Sequence, residues 1–342
     1  MNSFPKKYKP KLNLRETEKA IKFVKDEFEL SLSEMLNLER VSAPRFLETG
    51  TGLQDDLAGT QNPVRFETKF SKSPIEVVHS LAKWKRDALG RYGFQRGTGL
   101  YTDMDAIRKD EDISPIHSIY VDQWDWEKVI GPGDRHLIYL ENTVQKIYAA
   151  MGYVNRILGE EFPVLKRDLP PKMTFVHSED LANEFPNLTP HEREHELARK
   201  YGAAFLIGIG YPLDNGNPHD LRAADYDDWS SETSDGKYGL NGDIIVWDDV
   251  RETSLELSSM GIRVDSDSLS RQLQMHNLMD RLNLEFHKGI ILNKLPLTIG
   301  GGIGQSRLCM YFLQKAHIGE VQSSVWPKKV KDDFNKQGVG LL

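Results

Sequence analysis

The sequence predicts one large domain of mixed helices and strands, on three observations. Some stretches repeat apolar residues at intervals of three and four, and others alternate apolar with polar residues. A third set carries short unbroken apolar runs between turn residues, as buried strands do. No linker cuts the 342 residues into halves, and 39% apolar with 28% charged residues is an ordinary globular composition.

Residues 1–13 are polar and basic, with Lys6, Lys7, Lys9 and Lys11, and read as a flexible tail ahead of a single domain over 14–342. Ile21, Val24, Phe28, Leu32 and Met35 form one apolar stripe of an amphipathic helix. Pro44 then marks a strand edge or a break, since it has no N–H for a ladder. Val64, Phe66 and Phe70, and later Ile119 and Val121, alternate with polar residues as strands do. Ala203–Gly210, Gly242–Trp247 and Leu255–Val264 read as further strands. Ser266 to Asn293 and Leu308–Leu313 have helical spacing, and the Asp-, Ser- and Gly-rich stretch Asp225–Lys237 reads as a long loop. Val77-Val78-His79-Ser80 and Phe175-Val176-His177-Ser178 echo each other, too briefly to mark a repeat.

The net charge of −7 argues against a nucleic-acid binder, which normally shows a basic footprint. No apolar run approaches the roughly 18 residues of a membrane helix, and no apolar segment of a signal peptide follows the basic start. The one cysteine, Cys309, has no internal partner and suits a reducing compartment. A cytoplasmic location, no nucleic acid and no membrane are the expectations.

The sharpest chemical signal is Gly300-Gly301-Gly302-Ile303-Gly304-Gln305-Ser306-Arg307. It lacks the Gly-Lys-Ser/Thr ending of a P-loop and contains no G-x-G-x-x-G. Glycine at 300, 302 and 304 clears one face of a strand so that a flat ligand can lie against backbone. The helix that follows would hold Arg307 over it, to stack on a base or pair with phosphate; a glycine turn with a surface arginine is the plain alternative. Arg108 stands before the acidic run Asp110-Glu111-Asp112, where it could grip a phosphate or simply sit in a solvated turn. Asp243 and Glu256, on two predicted strands, could hold Mg²⁺ bridged to nucleotide phosphates or could be edge charges. Gln123 and Asp125, two apart, share one strand face and suggest a polar pocket or a solvated strand end.

In this order the features resemble the three motifs of class II aminoacyl-tRNA synthetase catalytic domains. Within that superfamily the closer resemblance is to the ammonia-dependent asparagine synthetases (aspartate–ammonia ligases). It is carried by Val77–Arg86 (VVHSLAKWKR), Ser114–Glu127 (SPIHSIYVDQWDWE), Ala224–Ser230 (ADYDDWS), Leu240–Trp247 (LNGDIIVW), Glu256–Asp265 (ELSSMGIRVD) and Thr298–Leu308 (TIGGGIGQSRL). These strings span most of the chain between about residue 15 and Trp326, and the basic N-terminal tail and the segment around Pro163–Pro190 resemble the family least. The resemblance implies an α+β fold, with an antiparallel β-sheet flanked by helices as in class II synthetase catalytic domains, and a homodimer built on the striped helix and Pro44. It implies that L-aspartate attacks the α-phosphate of ATP to give β-aspartyl-AMP and pyrophosphate, after which ammonia displaces AMP. In such a site Arg108, Arg263 and Arg307 meet the nucleotide, Gly302 and Gly304 floor it, and Asp243 and Glu256 hold Mg²⁺. Lys85 is the cation for aspartate, Asp125 and Asp227 accept from its amine, and Ser80, Gln123 and Ser259 are neutral partners. Asp55, in the glycine-rich loop after Pro44, would meet the incoming ammonia, with Gln123 orienting the carbonyl. Without the resemblance, Lys85 in its WKR setting reads as part of a solvated basic face. His79 and Cys309 read as core residues.

An aspartyl- or asparaginyl-tRNA synthetase is the main rival, but only about 14 residues precede the striped helix, too few for an anticodon-binding barrel. Glutamine-using asparagine synthetases need an N-terminal cysteine nucleophile, and residue 2 is Asn2. A third rival, a non-catalytic amino-acid sensor, is disfavoured by the joint presence of Arg108, Asp243, Glu256 and Arg307.

Overall fold

The computed structural model describes residue 5, residues 8–55, residue 57 and residues 61–342. Asn13 opens helix α1 (Leu14–Leu36) with a reciprocal capping box: its side chain accepts from Glu16 N at 3.0 Å while Glu16 accepts from Asn13 N at 2.9 Å. Asn37, at φ 59°, ends the helix in the left-handed conformation that asparagine tolerates. The chain continues through β1 (Leu38–Arg40), β2 (Phe46–Glu48), β3 (Arg65–Phe66), β4 (Ile75–Val77), α2 (Ala82–Tyr92), β5 (Gly99–Ile107) and β6 (Tyr120–Val129). After these come α3 (Leu137–Glu161), β7 (Thr174–His177), α4 (Ser178–Glu184), α5 (Pro190–Tyr201), β8 (Ala203–Ile207), β9 (Asn241–Asp248) and β10 (Thr253–Ile262). Last are α6 (Ser266–Met275), α7 (Glu285–Ile291), β11 (Thr298–Gly304), α8 (Gln305–Phe312) and α9 (Lys328–Lys336).

Among the described residues, eight strands form one sheet in the order β1-β5-β6-β11-β10-β9-β8-β7. The six inner strands are antiparallel, as expected, while the outer pairs β1–β5 and β7–β8 are parallel, so the sheet is mixed. A smaller sheet, β2-β4-β3, leads into α2. One face of the large sheet is apolar. Trp124 and Trp126, both fully buried, pack there with α1, α3 and α8 residues in the largest core cluster, and the Phe28 and Trp124 rings lie 4.9 Å apart. The opposite face carries polar residues and is covered in part by α2, whose Trp84 and Leu89 pack with Leu100 and Met104.

Several expectations change in detail. In the α1 stripe, Ile21, Val24, Phe28 and Leu32 are buried within the chain, whereas Met35 is exposed and Leu36 takes its place. Phe70 is also exposed and outside any strand; only Arg65–Phe66 of that alternation pairs. The 266–293 stretch divides into α6, a short 3-10 turn and α7. Lys6 and Lys7 of the expected basic tail lie outside the described residues. Its later part is anchored: Tyr8 donates to Glu320 at 2.8 Å and Leu12 is buried. Helix α3, 25 residues long, is the largest element that the sequence reading left out.

Candidate active site

Register places the chemistry. Cross-strand partners point to the same face of a sheet, and Asp243, Ser259, Gly302 and Asp125 are successive partners across β9, β10, β11 and β6. Gln123 and Glu127, two residues either side of Asp125, share that face and pair with Gly304 and Gly300. Glu256 is three residues from Ser259 and would face the other way on a regular strand. A bulge between Glu256 and Ser258 shifts the register so that Glu256 pairs with Ile245 and joins the row of Asp243.

The alternate glycines serve the neighbouring strand first. A Cβ at Gly300 would collide with Glu127, and one at Gly302 would lie 2.5 Å from Gln123 Oε1 and 2.9 Å from Asp125 Oδ1. The expected bare face for a flat ligand is therefore filled at 300 and 302 by side chains from β6. Gly302 and Gly304 do line the cavity described next.

A cavity of about 420 Å³ opens on this face. Its wall includes Asp55, Ser80, Lys85, Arg108, Gln123, Asp125, Asp227, Glu256, Ser259, Arg263, Gly302, Gly304 and Arg307, most of the predicted set. Asp243 is not on that wall. Its carboxylate is held by both oxygens to the guanidinium of Arg222, whose residue does line the cavity. Burial pushes the Asp243 carboxyl up to about 7, even against the pull of Arg222.

At one end of the cavity Arg108 follows β5, with its N–H closing the β5–β6 hairpin onto Ile119 O at 2.8 Å. Arg307 approaches from α8 and donates to Glu256 O at 3.0 Å and Glu256 Oε2 at 3.4 Å. The start of α8 is fixed by Asp122, which accepts from Ser306 N at 3.0 Å and Ser306 Oγ at 2.8 Å. His117 lies on the same wall, hydrogen-bonded through Nδ1 to Ser114 Oγ at 2.8 Å. Burial and the nearby Arg307 hold it below its ordinary pKa.

The other end is a buried ionic network. Lys85, fully buried on α2, donates to Asp125 Oδ1 at 2.9 Å and Gly301 O at 2.8 Å, with Glu127 Oε2 at 4.0 Å. The basic stretch is thus not a solvated face: Lys83 and Arg86 are buried as well. Burial lowers the Lys85 ammonium, against the pull of Asp125. Arg263, expected at the nucleotide, is taken by protein carboxylates: it grips Glu127 at 2.8–3.2 Å and pairs with Asp227. Two acids share this guanidinium. Burial would raise both, but Arg263 and Lys85 bring Glu127 below its ordinary value, while Asp227 stays raised.

Asp55 is buried and accepts from Ser80 Oγ at 2.7 Å and Leu57 N at 3.0 Å. His79 supports it from behind: Nδ1 is 3.2 Å from Asp55 O, and its backbone N–H donates to Gln54 at 3.0 Å. His79 and Cys309 are both fully buried, as expected of core residues.

Sequence reasoning missed Arg222, Glu127, His117 and Tyr226. All four had a signal: Glu127, His117 and Tyr226 lie inside the quoted strings, and Arg222 stands two residues before ADYDDWS.

The sequence matches the aspartate-ammonia ligase family model over residues 15–338. The chain belongs to the aspartate–ammonia ligase family. It is 51% identical to the aspartate–ammonia ligase of Bacteroides thetaiotaomicron over 339 residues, covering 99% of this chain and 98% of that one. It is likewise 51% identical to that of Bacillus cytotoxicus over 335 residues, 98% of this chain and all of the relative. Among solved structures, asparaginyl-tRNA synthetase from Pyrococcus horikoshii superposes with a TM-score of 0.66 at 14% identity, over 91% of this chain and 70% of that one. At that identity the likeness is one of fold, and it establishes the class II synthetase architecture. The expected family is therefore the one found, an enzyme family of asparagine biosynthesis, and the tRNA-charging rival gives way to it. No helix among the described residues is long and apolar enough to cross a membrane.

Proposed function

We propose that the protein makes L-asparagine from L-aspartate, ammonia and ATP in two steps, through β-aspartyl-AMP. The observation that supports it is one cavity lined both by the guanidiniums of Arg108 and Arg307 and by a polar set, the Lys85–Asp125 pair with Gln123, Ser80 and Asp55. In the first step the side-chain carboxylate of aspartate attacks the α-phosphorus of ATP and pyrophosphate leaves. The guanidiniums of Arg108 and Arg307 offset the charge that builds on the phosphoryl oxygens. Lys85 attracts a carboxylate of aspartate, Asp125 and Asp227 accept from its ammonium group, and Ser80, Gln123 and Ser259 complete the polar wall. In the second step ammonia attacks the acyl carbon and AMP leaves with the bonding electron pair. At neutral pH most of the nucleophile is ammonium, so Asp55 is assigned to attract it and take its proton, with Gln123 orienting the carbonyl.

Glu256 fits a metal ligand, being partly exposed and cavity-lining. Asp243 fits only when Arg222 releases it. Mg²⁺ is commonly held by one or two carboxylates and by substrate phosphates, which is the role assigned to Glu256. When bound there, it would neutralise phosphate charge. Arg263 acts on this reading as the organiser of Glu127 and Asp227 rather than as a direct phosphate contact.

We place homodimerisation in the same reading. The buried stripe of α1 is used within the chain, but Leu30 and Met35 on α1 and the edge-to-face pair Phe46 and Phe66 are exposed and suited to a second copy. The deciding experiment supplies aspartate, ATP, Mg²⁺ and ammonium without tRNA. Asparagine, AMP and pyrophosphate are expected; ADP and phosphate would overturn the adenylate route.

A further inference from the structure

A second ionic cluster lies outside the cavity wall and joins the three segments that supply its aspartate end. At its centre is Asp225, fully buried on the loop that carries Tyr226 and Asp227. One oxygen, Oδ2, meets Lys83 Nζ at 3.0 Å, Arg281 Nη1 at 2.9 Å and His287 Nε2 at 3.0 Å. Burial alone would raise this carboxyl, but Lys83, His287 and Arg281 hold it well below its usual range. An apolar contact could be as stable as this desolvated carboxylate with its three donors, so what the cluster adds is a fixed geometry between the segments they belong to.

Each member sits a short step from a cavity residue. Lys83 is two residues before Lys85 on α2. Asp225 is two residues before Asp227. His287, on α7, packs against the loop that carries Asp55. There, a Cβ on Gly52 would lie 3.1 Å from His287 Nδ1 and 2.9 Å from Leu284 Cβ, and the backbone at φ +81° is one that favours glycine. Phe286 N donates to Thr51 O at 3.4 Å in the same contact. None of these three bonds to Asp225 involves Arg108 or Arg307.

We propose that Asp225 and His287 are positioning residues: together they set the spacing of Lys85, Asp227 and Asp55, and so tune the aspartate end of the cavity without touching the nucleotide end. The inference rests on the reading of that end as the aspartate pocket. His287 is the member to test, because glutamine can still donate to Asp225 whereas leucine fills the space and donates nothing.

The experiment compares His287→Leu, His287→Gln and Arg281→Gln in the full-length enzyme, reading KM for aspartate and for ATP separately, with Lys85→Met as the control on the pocket itself. His287→Leu is expected to raise the aspartate KM about tenfold or more with the ATP KM within about twofold, a misplacement effect. His287→Gln should recover most of that change. Arg281→Gln, at the least buried donor of the cluster, should show a smaller shift of the same kind and keeps the test usable if His287→Leu does not fold. Equal rises in both KM values, no change, or failure of glutamine to outperform leucine overturns the proposal. If Lys85→Met leaves the aspartate KM unchanged, the pocket reading falls and the inference with it; if Lys85→Met raises it and the His287 and Arg281 variants do not, the inference alone falls.

Discussion

Replacing Gly302 by alanine tests whether the glycine strand exists for the ligand or for its neighbouring strand. The added methyl carbon would lie 2.5 Å from Gln123 Oε1 and 2.9 Å from Asp125 Oδ1. An unstrained carbon–oxygen contact is about 3.3 Å or longer, so Gln123 must withdraw by roughly 0.8 Å and Asp125 by roughly 0.4 Å. Asp125 Oδ1 is also the atom that accepts from Lys85 Nζ at 2.9 Å, so the movement is passed to the buried cation. Overpacking of this kind costs about 1–3 kcal/mol of stability, and displacing a positioning group by close to 1 Å costs on the order of 10²-fold in rate. Gly304→Ala is the comparison. The three atoms nearest to its Cβ would all belong to the Arg307 side chain, at 3.3–3.6 Å, and its φ of −64° suits any residue. Aspartate-dependent exchange of labelled pyrophosphate into ATP, measured beside asparagine formation and thermal unfolding, separates the two. Gly302→Ala should lose aspartate-dependent exchange while staying folded, and Gly304→Ala should lose far less. Normal aspartate kinetics in Gly302→Ala, or a larger loss in Gly304→Ala, would refute the reasoning.

Arg307→Ala should lower kcat/KM by a factor on the order of 10²–10³, the usual cost of one transition-state donor; wild-type kinetics would move the nucleotide elsewhere. Glu256→Gln keeps the shape and removes the charge, so the Mg²⁺ concentration needed for half-maximal rate should rise, and an unchanged titration would relocate the metal. Asp55→Asn should spare pyrophosphate exchange while asparagine production collapses; equal loss of both would make Asp55 an aspartate ligand. Acid sensitivity should come in part from His317, which burial, with Arg251, lowers from 6.5 to about 4. Folding keeps this ring neutral, so its full contribution is present above pH 6.5 and about 3 kcal/mol is lost as pH falls to 4. His317→Asn retains an acceptor for Gly319 N and should flatten the stability slope between those values in urea titrations; an unaltered slope would assign the acid sensitivity to other groups.

Most of the site's membership was legible in the linear sequence because it is carried by residue type at short spacing. Gln123 and Asp125 share a face by the twofold period of a strand, and Arg307 follows its glycines into the first turn of a helix; neither needs a distant partner. The strings around them were long enough to specify the family. What stayed hidden depends on partners far apart in the chain. Whether Lys83, Lys85 and Arg86 face water or the interior is decided by Asp225, Asp125 and the carbonyls of Val264 and Pro296, so the local pattern reads as a solvated helix face. That Arg263 serves Glu127 and Asp227, and that Arg222 holds Asp243, follows from burial, which makes an unpaired charge costly and a nearby opposite charge decisive. The face on which Glu256 emerges was set by a single unpaired residue in β10, visible only as a shift of hydrogen-bond register against β9. The sequence by itself determined the chemistry and the family, because periodicity and residue type are local. Only the tertiary structure decided which charges are already neutralised and which remain for a substrate, because desolvation and pairing act between segments that lie from 21 (Arg222–Asp243) to 142 (Lys83–Asp225) residues apart.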